Sequence, residues 1–145
     1  MRVAEVMTPD PFTIEPEKSV REALKTMQAM DIRHVPVARG RTLVGIVSDR
    51  DLREFTLPAL LRFEEPEVAR DQLDTPIGSV MRTDTLAVQA EEELSEAVSV
   101  MLDHKVGALP VLLSAARALV EAGLAAEGHL LGLLGCRSRR RRGAR

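Results

Sequence analysis

The chain has 145 residues and is 45% hydrophobic, enough apolar mass for a real core and against wholesale disorder. Aromatic residues make up only 2%, with no Trp or Tyr, so the core is aliphatic and a platform for stacking single-stranded nucleic acid is disfavoured. The net charge of −2 is uneven: residues 137–145, "RSRRRRGAR", hold six arginines, so the rest carries −8, unlike a folded nucleic-acid-binding domain.

Cys136 is the single cysteine, which excludes an internal disulfide and a multi-cysteine zinc site. His34, His104 and His129 have no metal-ligand spacing, so no metal is expected. The start, "MRVAEVMTPD", lacks the apolar stretch of a signal peptide, and no apolar run is long enough to span a membrane. The cytoplasm is the expected compartment.

In chain order, a Val-Met segment (Val6-Met7) leads to a short strand, Phe12–Ile14. Ser19 and Glu22 form a capping box, serine serving the first turn of a helix and glutamate reaching back. Val20, Ala23, Leu24, Met27 and Met30 follow at helical spacing, a core face that leaves Arg21, Lys25 and Gln28 to solvent. A hairpin comes next, His34–Ala38 and Thr42–Val47, around "RGR", whose glycine supplies a positive φ. Pro36 cannot donate to a ladder, so its strand lies at an edge or bends there. Ser48 opens a second helix running to about Leu61, and the charged stretch 62–76, with two prolines, reads as a connection.

The pattern then repeats. Residues 3–37 align without a gap on 77–111 at an offset of 74, with nine identities that include Val6-Met7 with Val80-Met81 and Pro36-Val37 with Pro110-Val111. The second unit supplies a strand at Leu86–Val88 and a helix with Leu94, Ala97, Val98 and Met101 inward. Each unit reads β-α-β-β-α, too small to cover both faces of its sheet, so two copies packed sheet to sheet are expected.

After Val111 the pattern fails. "LLSAARALVEAGLAAEGH" is helical in preference, and only "HLLGLLG" resembles the missing strand. Two accounts stand: a helical insertion of about fifteen residues, or a shifted reading frame. Setting "GLLGCRS" under "GIVSDRD" puts Gly135 against Ser48 and Ser138 against Asp51.

The ordered set "VAEVMTPDPFTIEPEKSVREALKTM", "IRHVPV", "LVGIVSDRDL" and the second "IGSVM…VGALPV" resembles a tandem cystathionine-β-synthase (CBS) domain pair, the Bateman module. The resemblance covers residues 3–111 well and 112–138 poorly. It implies an α/β (α+β) fold of two repeats with pseudo-two-fold symmetry: 1–61, then 77–136 (divergent after 111), joined by 62–76, with 137–145 a basic, disordered tail. It also implies a non-catalytic regulatory module, with no covalent cofactor, that binds AMP, ADP, ATP or S-adenosylmethionine between the repeats. Such a module relays occupancy to a partner protein and commonly forms a homodimer. Nothing in the sequence forms a catalytic group.

The residue chemistry agrees with that implication. Ser48 at a helix N-terminus offers a hydroxyl beside backbone N–H groups, suited to phosphate. Asp51 is an acceptor-only carboxylate matched to a ribose diol. By the family pattern Arg33 and His34 meet the phosphates and Ile46 lines the base pocket. Leu86, Val106 and Gly107 come from the opposing repeat, the last two offering backbone groups to adenine's edge. Standing alone, Ser-x-x-Asp is an ordinary helix cap, and Arg33 and His34 are ordinary surface or structural residues. With Ser48 and Asp51 both unmatched in the second copy, one intact cleft at most is expected. The competing reading is a structural or oligomerisation module with vestigial clefts. The arginine tail reads as solvated rather than as a nucleic-acid or membrane contact.

Overall fold

The computed structural model describes residues 1–60, 66–112 and 130–135. Helix α1 (Val3–Val6) and strand β1 (Thr8–Pro9) open the chain. Helix α2 (Val20–Met30) follows, and its capping box is made: Glu22 N–H donates to Ser19 Oγ at 3.2 Å, while Ser19 N–H donates to the Glu22 carboxylate at 2.9 Å. That backbone donor is the main cause holding the Glu22 carboxyl below its usual range. Val20, Ala23 and Met27 form the buried face, as their spacing requires.

Strands β2 (His34–Arg39) and β3 (Thr42–Ser48) form the hairpin, turning at Gly40 with φ +60°. Pro36 loses no ladder bond, because its outer neighbour Ile14 only donates to the Pro36 carbonyl, at 3.1 Å. Ile14 is all that pairs of the expected strand 12–14; it makes one parallel bridge to Val37. Its counterpart in the second repeat is strand β4 (Val88–Gln89), which starts two residues after the expected strand 86–88 begins and ends one beyond it, parallel to strand β5 (Ala108–Leu112).

Helix α3 (Asp49–Leu60) starts directly after Ser48. The stretch read as a plain connection contains a further helix, α4 (Pro66–Leu73). Proline at a first helical position has no N–H to satisfy and a preset φ, which is why two prolines in a charged segment do not exclude a helix. Helix α5 (Leu94–His104) matches α2, and strand β6 (Leu130–Gly135) supplies the strand expected at "HLLGLLG". The helical excursion expected over 112–129 and the basic tail lie outside the described residues beyond Leu112, as does Ser138.

The repeats are crossed. β1 pairs antiparallel with β6 of the second repeat, giving the sheet order β1-β6-β5-β4. Seventy-four residues later, Arg82 bridges Ile46 on the outer edge of β3. Val3 is buried in the second repeat's core with Val88, Ala97 and Leu109, whereas Ile77 is buried in the first with Val20, Val37 and Leu52. The backbone bonds repeat the exchange: Ile77 N–H to Lys18 O at 2.7 Å and Val3 N–H to Glu92 O at 3.0 Å. Each repeat therefore completes its partner, and neither is a separable unit in space.

Leu112 and Leu130 pack with Leu43 and Ala87, and Leu130 N–H donates to Arg41 O at 2.9 Å, so the two sheets meet. The symmetry extends to the hairpins. His34 stands opposite Ser48 and Ala108 opposite Gly135, and both ladders slip at equivalent places, Val37/Ala38 and Val111/Leu112. None of the described helices is long and apolar enough to cross a membrane.

Candidate functional site

A cavity of about 520 Å³ opens between the end of β3, the first turn of α3 and the residues entering β5. The first repeat contributes Arg33, His34, Ile46, Ser48 and Asp51, with Asp49, Arg50 and Glu54 on the helix. The second contributes Lys105, Val106, Gly107 and Ala108, and also Arg82, which the crossed segment carries to the edge of β3.

The first turn of α3 is already partly satisfied. Asp49 N–H donates to Arg33 O at 2.8 Å and Asp51 N–H to Ser48 Oγ at 3.0 Å. Ser48 is thus the helix cap, and because its oxygen accepts in this contact its hydroxyl can still donate to a further acceptor. The Asp51 side chain does not reach back to the Ser48 backbone. Its Oδ1 accepts from Arg82 Nη2 at 3.0 Å, across the inter-repeat boundary.

Other charges pair locally: Arg50 with Glu54 at 3.0 Å and Asp49 with Arg53 at 2.8 Å. Among the described residues, the cavity cations Arg33 and Lys105 have no acidic partner, which leaves the opening electropositive. Lys105 ends α5 in the left-handed region, φ 53°, directly before Val106 and Gly107, and lines the cavity with them. His34 lies against Gly107: a Cβ there would stand 2.9 Å from the imidazole Cε1. Burial pushes the His34 imidazole below its usual pKa, with Arg33 adding to that and Asp51 and Asp49 opposing it.

An inter-repeat cleft with a capped Ser-x-x-Asp turn on one wall and a Val-Gly strand entry on the other is a recognisable constellation. The profile of the CBS domain family matches residues 3–57 and 77–120. The chain belongs to the CBS domain family.

Among its relatives, a CBS domain-containing protein of Dictyostelium discoideum is 31% identical over 137 residues, covering 91% of this chain and 90% of its own length. A homoserine O-acetyltransferase of Methanocorpusculum labreanum is 34% identical over 113 residues, 77% of this chain, but the match spans only 20% of that longer protein. The crystal structure of CBSX2 in complex with AMP is 26% identical, with a TM-score of 0.70, over 92% of this chain and 89% of that one.

The CBS pair brings Arg33, His34, Ile46, Ser48, Asp51, Val106 and Gly107 to one cavity. Leu86, the remaining residue nominated from sequence, is 36% exposed and does not line it. Sequence reasoning missed Arg82 and Lys105. Lys105 was legible in principle, since it directly precedes Val106-Gly107. Arg82 was not: it occupies the position equivalent to Thr8, and only the crossed pairing carries it to the first repeat's edge.

Proposed function

We propose that this CBS pair is a non-catalytic regulatory module that binds an adenosine-containing ligand in the cleft between its repeats and relays occupancy to a partner protein. The carrying observation is the convergence of Ser48, Asp51, His34 and Gly107, from both repeats, on one cavity of about 520 Å³, a size suited to a nucleotide. The AMP complex of the similar CBSX2 supports the ligand class.

In this reading the ribose diol donates to Asp51, and the Ser48 hydroxyl, Arg33 and His34 serve the phosphate end. Ile46 lines the base pocket, and Val106 and Gly107 offer backbone groups to the edge of the base, Gly107 having no side chain to keep it away. The ligand is regulatory, and no covalent cofactor is involved. A homodimer is the expected assembly and the cytoplasm the expected compartment. The second, symmetry-related position carries Gly135 where the first has Ser48, which supports a single working cleft.

The test is thermal unfolding of the wild type and Asp51→Ala in the presence of AMP, ADP, ATP or S-adenosylmethionine. A ligand held at a hundred times its Kd should add about 2.7 kcal/mol. The reading fails if none of the four stabilises the wild type, or if Asp51→Ala keeps the whole effect.

A further inference from the structure

We propose that Arg82 makes the cleft selective for adenosine ligands bearing an anionic 5′ group, because a ribose held by Asp51 competes for the carboxylate that Arg82 pairs with and leaves its guanidinium for that anion. The proposal rests on the ribose-to-Asp51 reading above and extends it to a named discriminating residue.

Arg82 is held in place by its backbone, which exchanges two hydrogen bonds of 3.0 Å with Ile46. Among the described residues its guanidinium then has one carboxylate within ion-pair distance, Asp51, at 3.0 Å. The Asp51 side chain is 21% exposed and that of Arg82 is 61% exposed, so the guanidinium can turn into the cavity while the carboxylate stays put. A ribose diol donating to both Asp51 oxygens competes with Arg82 for Oδ1. It brings no charge to compensate the displaced cation. The other acids at hand are already engaged, Glu54 by Arg50 and Asp49 by Arg53.

An uncharged adenosine would therefore weaken the hold of Arg82 on its acceptor, in a cavity also lined by Arg33 and Lys105, and bring no anion in exchange. S-adenosylmethionine puts a sulfonium next to the ribose and carries its carboxylate further out beside an ammonium, so its 5′ substituent is net positive and a poorer match than a phosphate. A 5′-phosphate supplies the missing acceptor, and a guanidinium binds its oxygens through paired, charge-assisted hydrogen bonds.

The experiment measures affinities of AMP, ADP, adenosine and S-adenosylmethionine for wild type, Arg82→Gln and Arg82→Lys by calorimetry at one ionic strength. Wild type should prefer AMP to adenosine by about tenfold or more, the worth of a charged hydrogen bond. Arg82→Gln should lose most of that preference, by weakening AMP while leaving adenosine equal or tighter. Arg82→Lys should retain part of it. A general loss of structure would weaken all ligands together, so the AMP-to-adenosine ratio is the deciding quantity. An unchanged ratio in Arg82→Gln, or equal wild-type affinities for AMP and adenosine, overturns the proposal while leaving an adenosine site standing. Binding of none of the four overturns the site and the proposal together.

Discussion

Met81 lies directly across Gly45, so that a Cβ on the glycine would stand 2.7 Å from the Met81 Sδ and 2.7 Å from the Arg82 carbonyl oxygen. The same relationship recurs in the other half: a Cβ on Gly132 would stand 2.5 Å from Met7 Sδ and 3.0 Å from the Thr8 carbonyl. Each Val-Met segment seats its methionine on a bare glycine of the opposite repeat's hairpin. This explains why the Val-Met pair and the glycine of "LVGIV" travel together through the duplication.

Gly45→Ala should therefore destabilise the fold. The methionine end could shift, but the Arg82 carbonyl belongs to a paired backbone and cannot, so the cost should be about 1–3 kcal/mol, typical of overpacking. Urea unfolding measures it. A change smaller than about 0.5 kcal/mol, the range of an ordinary surface substitution, would show that the crossed segment is not seated as described.

The crossing makes a less obvious prediction about Val3. It is fully buried, near the start of the first repeat by sequence, yet it packs with Val88, Ala97 and Leu109 of the second. Val3→Ala should cost about 2–3 kcal/mol, from lost burial and the cavity left behind. In native-state hydrogen exchange the loss of protection should concentrate in α5 and β5 rather than in α2 and β2. Equal loss in both halves, or loss confined to the first, would contradict the exchange of segments.

Much of this architecture was legible before any coordinates. The capping box of Ser19 and Glu22, the hairpin at Gly40 and the inward face of α2 are local patterns, and local chemistry decides them. The pairing of Gly135 with Ala108, equivalent to Ser48 with His34, follows from matching "GLLG" to "GIVS". What stayed hidden was non-local. Nothing in Thr8 or Arg82 says that its strand joins the other repeat's sheet, because both sheets offer the same kind of edge. Helix α4 was missed because proline and charge were read as loop signals, although Pro66 opens the helix and Leu73 turns inward to the first core. The site residues missed from sequence, Arg82 and Lys105, are those whose positions depend on the crossing and on the left-handed turn ending α5.

That turn yields a prediction in which stability and binding move apart. Lys105 occupies the left-handed region with φ 53°, a conformation that disfavours an L side chain by about 1 kcal/mol and that glycine adopts freely. Lys105→Gly should be neutral to stabilising in urea unfolding. Removing one of the cations at the cavity should at the same time weaken AMP. If the variant is clearly less stable, the lysine side chain contributes to folding in a way the geometry does not show. If AMP affinity is unchanged, Lys105 does not reach the phosphate.

His34 gives the pH dependence. Burial is the main cause lowering its pKa in the folded chain, and Arg33 acts in the same direction, while Asp51 and Asp49 oppose both. The unfolded chain has the ordinary value of about 6.5. As pH falls through that value the unfolded state takes a proton that folded His34 does not yet accept, so stability declines. The decline ends once the pH has passed below the folded pKa; above about 6.5 this residue contributes no slope. Comparing wild type with His34→Gln isolates the effect from His104 and His129, and the variant should show a shallower loss on acidification. An anion bound beside the imidazole favours its charged form. AMP binding just below pH 6.5 should therefore take up protons, seen as a dependence of the calorimetric enthalpy on the buffer's ionisation enthalpy. Identical pH profiles for the two proteins, with no proton uptake in the wild type, would remove His34 from the phosphate end of the cleft.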